Sequence, residues 1–294
     1  MTGRAACASQ VRAWQARMEN ALAERLPPAA AEPTRLHHAM RYCVLNTGQR
    51  LRPVLVFGTA RALGLAEAQV EGVACAIELV HAYALVHDAL SGVEEDADAG
   101  RRGPCHAAYD AGTAVLVGDA LQSLAFQLLA SDAALPAAPQ VRLRLIALLA
   151  RAIGVSGLTG GQSLDAAARG EALSVREIEA WYSRRCGALI EASVLMAAAC
   201  ASRSAAAPAA APHESLADFA SKLALALRLR RELAGSDDGG AARRAHYVAA
   251  LGDGAREQLG RLQAQALGAL EPLGPAAHSL RELAQCLLEM RPGD

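Results

Sequence analysis

An all-α fold is predicted by three features of the sequence. Ala and Leu dominate a chain that is 53% hydrophobic but only 3% aromatic, so helix formers are plentiful and strand formers are thin. Apolar residues recur at helical spacing along most of its length. The breaks in that spacing are short and carry Pro, Gly or clustered charge. With 294 residues, the chain can bury a large core without disulfides or metal.

The elements follow in order. Gln10 to Leu26 alternates apolar and charged residues and stops at Pro27–Pro28. Helices are expected over Pro33 to Leu45 and over Gln49 to Leu63, the second ending at Gly64. Ala66 to Leu90 is apolar on most faces and therefore central. Ser91 to His106 reads as an acidic-then-basic loop, and Ala108 to Ala130 as helix. Asp132 to Pro139 is a connection. Val141 to Gly154 and Val155 to Ala168 are helices, the latter containing Gly160–Gly161, and Val175 to Ala201 is one long helix. Ser202 to Pro212 is low-complexity and reads as a surface loop. Ser215 to Ala234 is helix, Gly235 to Gly240 breaks it, and two or three amphipathic helices finish the chain. No internal repeat is visible, so one domain over residues 1–294, of about ten helices, fits better than two.

Composition excludes several classes of function. A formal net charge of −1 gives no global field that would recruit nucleic acid or an anionic membrane. Lys222 is the only lysine, so almost every cation is an arginine, which stays charged when buried and binds phosphate bidentately. Seven scattered cysteines without a CxxC pair read as reduced core thiols of a cytoplasmic protein. The N-terminus lacks a signal-peptide block. Ala188 to Ala201, the most apolar segment, carries Glu191 and is too short to span a bilayer, so an integral membrane protein is not expected.

Three segments carry chemistry that suits a diphosphate. In Gly48–Gln49–Arg50–Leu51–Arg52–Pro53, two arginines flank a leucine where a helix starts. Helix N-termini attract anions, although a solvated basic turn has the same composition. Asp88, Glu94, Asp96 and Asp98 precede Arg101–Arg102. Clustered carboxylates of this kind hold Mg²⁺ against substrate phosphates, and the arginines neutralise the same group. Gly160–Gly161–Gln162 and Arg185–Cys186–Gly187 form the third. Two glycines inside a helix cost about 1 kcal/mol each relative to alanine, so a neighbouring helix or a ligand must come close. His81 and Asp88 are about 700° apart at helical spacing and share nearly one face.

Together these segments resemble the trans-isoprenyl diphosphate synthases, the polyprenyl synthetase family, and within it the bacterial farnesyl diphosphate synthases. The resemblance runs from about residue 10 to the C-terminus. Gly48 to Pro53 looks like the family's G-K-R-x-R-P, and Glu78 to Asp88 like the helix that ends in its first aspartate-rich motif. Arg101–Arg102–Gly103, Gly118–Asp119–Ala120–Leu121, Gly160–Gly161–Gln162 and Cys186–Gly187–Ala188–Leu189–Ile190 match further landmarks. The resemblance implies an isoprenoid synthase-type bundle around a deep central cavity, usually a homodimer. It implies joining of an allylic diphosphate to isopentenyl diphosphate, with three Mg²⁺ held by two aspartate-rich motifs. By position, Arg52 and His81 would hold isopentenyl diphosphate with help from Arg102, and Arg101 would touch the allylic diphosphate. Gln49, Gln162, Arg185, Arg228 and Arg231 complete the substrate-binding set, and Asp88 and Glu94 are the catalytic and metal-binding candidates.

The chain departs from the pattern in several places. Gln49 replaces a phosphate-binding lysine, Ala89 replaces the second acid of the first motif, and Glu94 replaces its third. The second motif falls on Leu227 to Gly235, where Arg231 and Gly235 stand at two acid positions that share a helix face. Arg185 keeps the charge of the family's K-T-G, but Cys186 removes the hydroxyl. Mg²⁺ wants about six oxygen ligands, so Mg²⁺ as a cofactor is in doubt and chain elongation should fall by orders of magnitude. The favoured expectation is a farnesyl diphosphate synthase-like protein that binds isopentenyl, geranyl or farnesyl diphosphate. It would be a homodimer, or a regulatory or modifying subunit in a heterodimer with an active homologue. The alternative is an active short-chain prenyltransferase with a non-standard metal site, in which Tyr83 closes the pocket floor.

Overall fold

The structure is a computed structural model and describes residues 2–45, 48–91, 103–167, 173–201, 210–235 and 247–290. The chain is all-α, as the composition predicts, and no strand occurs among the described residues. Among the described residues, fourteen α-helical segments are joined by short 3₁₀ turns and one turn of π-helix.

Helix α1 (Thr2–Arg25) is longer than the sequence spacing implied, and α2 (Thr34–Val44) follows the Pro27–Pro28 break. Helix α3 (Leu51–Ala62) ends before Gly64, whose φ of 72° suits only a residue without Cβ. A 3₁₀ turn at Glu67–Gln69 leads into α4 (Glu71–Leu90). Nearly every face of α4 is covered, because Val73, Ile77, Leu79 and Val80 all point into protein. It packs along α6 (Ala111–Ser131) and against α3, α10 and α1. The short α5 (Cys105–Ala108) precedes α6, whose N-cap Asp110 accepts a 2.7 Å hydrogen bond from the Thr113 amide.

Helices α7 (Pro139–Ile153) and α8 (Leu158–Ala167) come next. The single helix expected over Val175 to Ala201 is divided. Its pieces are α9 (Val175–Tyr182), a π turn at Ser183–Gly187, and α10 (Ala188–Ala201). A π turn widens the helix by one residue and re-aims the side chains it carries; nothing in the hydrophobic spacing signals it. Helix α10 is sheathed by α3, α7 and α11 (Ala210–Leu233). Helices α12 (Tyr247–Leu251), α13 (Ala255–Ala269) and α14 (His278–Glu289) close the bundle, with α13 and α14 against α11. Two stretches of the expected loops, 202–209 and 236–246, lie outside the described residues.

Among the described residues two helices, α4 and α6, are long and apolar enough to cross a membrane by length and composition, and Ala188–Ala201 is, as expected, not one of them. Helix α4 is an ordinary core helix. Helix α6 buries only 39% of its apolar window and leaves Val115 and Leu116 about half exposed.

Candidate functional site

The site is assembled where the C-terminal half of α4 meets α8, the π turn and the start of α3. Asp88, in the last turn of α4, is buried. One carboxylate oxygen accepts a 2.8 Å hydrogen bond from Gln162 Nε2, and the other accepts from Arg185 in a close ion pair. Three sequence-predicted residues from three separate elements therefore converge on a single carboxylate.

Gly161 explains how they reach it. A Cβ at this position would lie 2.9 Å from both Cα and N of Arg185. The glycine thus lets α8 press its backbone onto the π turn, which sets Gln162 and Arg185 side by side. Of the two readings of Gly160–Gly161, close packing is the one the geometry shows, Gly161 against Arg185 and Gly160 against the Val155 carbonyl.

The start of α3 supplies the basic side. Arg50 takes a left-handed backbone, φ 53° and ψ 34°, and turns its side chain inward. There it pairs with Glu78 at 2.8 Å and Glu19 at 2.8 Å, and donates to the Val44 carbonyl at 2.6 Å. Burial works against its charge, but Glu78 and Glu19 more than compensate and raise its pKa. Arg50 is consequently a strut rather than a free anion ligand.

Arg52 lies two residues on and lines a small open pocket with Gln49, Glu78, His81 and Leu85. Its Nε is buried without a hydrogen-bond partner. The carbonyl of Gln49 accepts from Gln15 Nε2 at 2.8 Å. His81 opens into the same pocket, and its pKa is pushed well below 6.5 by burial, then by the charges of Arg52, Arg50 and Arg185. Three guanidinium groups therefore set the potential around one neutral imidazole. Such a place suits a polyanion, since each bidentate arginine–phosphate contact is charge-assisted.

A second polar cluster joins α9, α11 and α12. Glu232 accepts from Tyr182 Oη at 2.7 Å, Arg228 Nε at 2.9 Å and the Val248 amide at 2.9 Å. The Arg228 guanidinium stacks 4.7 Å above the Tyr182 ring. Tyr247 donates to Glu179, which also accepts from Gln258 at 3.2 Å. Sequence reasoning missed Glu179, Tyr182, Glu232 and Tyr247 as one network, because no local spacing links positions in three elements. Arg230 caps α14 through the carbonyls of Leu288 and Met290, and Arg231 is half-buried.

Glu94, Arg101 and Arg102 lie outside the described residues, as do Asp96, Asp98, Asp237 and Asp238. Among the described residues no group of three His, Cys, Asp or Glu side chains is placed to hold a metal ion. Ala89, Arg231 and Gly235 offer no carboxylate, Asp88 is neutralised by Arg185, and Glu232 is saturated by three donors.

The Polyprenyl synthetase family model matches residues 33–230. The chain belongs to the polyprenyl synthetase family. Relatives in this family include farnesyl diphosphate synthase of Escherichia coli (strain K12), 37% identical over 191 residues, or 64% of this chain and 63% of that protein. A probable farnesyl diphosphate synthase of Sinorhizobium fredii is 34% identical over 283 residues, 92% of this chain and 83% of that one. The matched region spans a little under two thirds of the first such relatives, 63% to 66% of their length. The crystal structure of an FPP/GFPP synthase from Zymomonas mobilis superposes with a TM-score of 0.85 at 31% identity, covering 97% of this chain and 99% of that one. This polyprenyl synthetase is thus a farnesyl diphosphate synthase-like protein with the all-α isoprenoid synthase fold.

Proposed function

We propose that the protein binds isoprenoid diphosphates through arginine rather than through bridging magnesium, and is defective in ordinary chain elongation. One observation carries this reading: Asp88, the acid that ends α4, is engaged by Arg185 and Gln162, and its neighbour is Ala89. An incoming diphosphate meets Arg52, His81 and Arg185 before it meets a free carboxylate. Ionising an allylic diphosphate without a cation cluster forfeits most of the electrostatic stabilisation the reaction needs. Binding is retained and turnover is not.

The physiological assembly follows from the same reading. The half-exposed Val115 and Leu116 on α6 offer a face for a second subunit, either another copy or an active homologue. All seven cysteines are free thiols, which supports a cytoplasmic setting.

A second reading is an active short-chain prenyltransferase. Tyr83 favours it, being buried one turn below His87 with the rings edge-on at 5.3 Å, where it would limit product length.

Calorimetry with pyrophosphate and geranyl diphosphate, with and without Mg²⁺, distinguishes the two when combined with radiolabelled isopentenyl diphosphate turnover. The binding reading expects affinity that EDTA changes less than about threefold, with no measurable product. Turnover within about a hundredfold of ordinary enzymes, roughly 1–10³ per second, would establish the prenyltransferase instead.

A further inference from the structure

The seven thiols are not randomly dispersed in space. Cys43, in the last turn of α2, and Cys105, the first residue of α5, are 62 positions apart in sequence, yet their thiols lie close enough for each to shift the other's proton affinity. The two helices are held together around them. Tyr42 Oη donates to the Gly103 carbonyl at 2.8 Å, the Tyr42 and Tyr109 rings meet edge-on at 5.7 Å, and Arg35 pairs with Asp110 at 2.6 Å. The contact between the sulfurs is therefore built into an interface with bonds on both flanks.

We propose that Cys43 and Cys105 form a reversible disulfide, a modification site that ties α2 to the segment entering α6 when a peroxide is present. The chemistry needs only hydrogen peroxide as the oxidant. The Cys105 thiolate attacks one peroxide oxygen, the O–O bond breaks, and the leaving hydroxide takes a proton to give water and a Cys105 sulfenic acid. The Cys43 sulfur then attacks the Cys105 sulfur. The S–O bond breaks, a second water departs carrying the Cys43 proton, and the disulfide remains. Two thiols are oxidised and one peroxide is reduced to two waters.

The proton distribution within the pair favours this order. Cys43 donates its S–H to Cys105, which lowers the Cys105 pKa against the opposing effect of burial and raises that of Cys43. The more acidic sulfur is the better first nucleophile, and its resolving partner already touches it. Cys105 is buried and Cys43 beside it is half-buried, so peroxide reaches the Cys105 sulfur by passing Cys43. A second neighbouring pair, Cys7 and Cys286, joins α1 to α14. Burial and the contact with Cys286 push Cys7 up to about 12, with Glu282 nearby adding to the rise. That pair stays reduced under the same treatment.

Peptide mapping of the whole folded chain tests the inference without any variant. After hydrogen peroxide the mass should fall by two hydrogens; alkylation of the unfolded chain and digestion should then yield a Cys43–Cys105 linked peptide, with the other five of the seven thiols alkylated. Dithiothreitol should restore all seven, and the oxidised chain should unfold at higher temperature because the link shortens the unfolded loop. C43S and C105S, each checked for native helicity by circular dichroism, should lose the link, while C7S keeps it. Persistence of both thiols in excess peroxide overturns the inference. So does conversion of Cys105 to sulfinic acid without a link, or pairing of either cysteine with a different partner.

Discussion

Arg185 and Asp88 form an ion pair across 97 residues of sequence, and that pair decides how the site can treat an anion. Both side chains are mostly shielded from water, with side-chain exposures of 14% and 8%. Arg185 reaches Asp88 because the π turn aims it and Gly161 lets α8 approach. If a diphosphate binds beside His81, as proposed, it competes with Asp88 for the same guanidinium, so its binding and the release of the carboxylate are coupled.

Removing one partner leaves the other buried and uncompensated, which costs about 3–5 kcal/mol where nothing else intervenes. Gln162 remains on Asp88, so R185Q should destabilise the fold by about 2–3 kcal/mol in urea unfolding. D88N/R185Q should recover most of that loss. The single variant should also weaken pyrophosphate binding at least tenfold. An unchanged affinity would remove Arg185 from the anion site.

Gly161→Ala tests the packing separately from the charge. The added Cβ would sit 2.9 Å from the backbone of Arg185, and backbone cannot swing away as a side-chain tip can. Overpacking of this kind costs about 1–3 kcal/mol. The thermal midpoint should drop and pyrophosphate affinity should drop with it, because Arg185 is displaced. Loss of stability with full affinity would mean that α8 only packs and does not position.

The helical class and most helix positions were legible because Ala, Leu and the apolar spacing speak for local structure. The candidates Asp88, His81, Arg52, Gln162 and Arg185 could be named in advance because each sits in a short motif. What each touches was not legible. Arg50 and Arg52 look alike in sequence, yet one is a buried strut to Glu78 and the other faces the pocket, a difference set by the left-handed backbone at Arg50. The π turn that splits Val175–Ala201 leaves no trace in periodicity, since both flanks keep helical spacing. The Glu232 network depends on Tyr182 and Val248, which only the tertiary fold brings together.

Arg50 and Glu78 give the sharpest stability contrast. Arg50→Ala strands the Glu78 carboxylate in the core and also gives up the bond to Val44, so a loss of about 3–5 kcal/mol is expected. Arg50→Met with Glu78→Leu removes both charges together and should cost far less than the sum of the single changes. A double-mutant cycle in urea measures the coupling. Additive effects would show that Arg50 is not tied to Glu78 in solution.

Restoring acids tests whether the two motifs have merely lost their ligands. The triple change A89D, R231D and G235D returns carboxylates to the three positions that lack them. It should convert pyrophosphate binding from magnesium-indifferent to magnesium-dependent, with affinity rising at least tenfold on adding Mg²⁺. Asp at 235 must adopt the positive φ of 69° now held by glycine, so about 1 kcal/mol of stability is lost. No magnesium response would mean that the surrounding bundle has drifted as well.

His81 gives the site a pH signature whose sign can be worked out. Burial and the charges of Arg52, Arg50 and Arg185 hold its folded pKa well below the ordinary 6.5. The unfolded chain therefore binds this proton first as pH falls. Stability from His81 is complete above 6.5 and declines between 6.5 and the depressed folded value. Urea midpoints taken from about pH 8 to about pH 5 should fall on the acid side, and H81Q should flatten that difference. A bound diphosphate reverses the local field and raises the His81 pKa. Pyrophosphate binding should then take up protons and tighten as pH falls through the same window, and H81Q should lose that tightening as well. If H81Q flattens the stability profile but leaves the affinity profile unchanged, the anion lies away from His81 and the pocket beside Arg52 is not its seat.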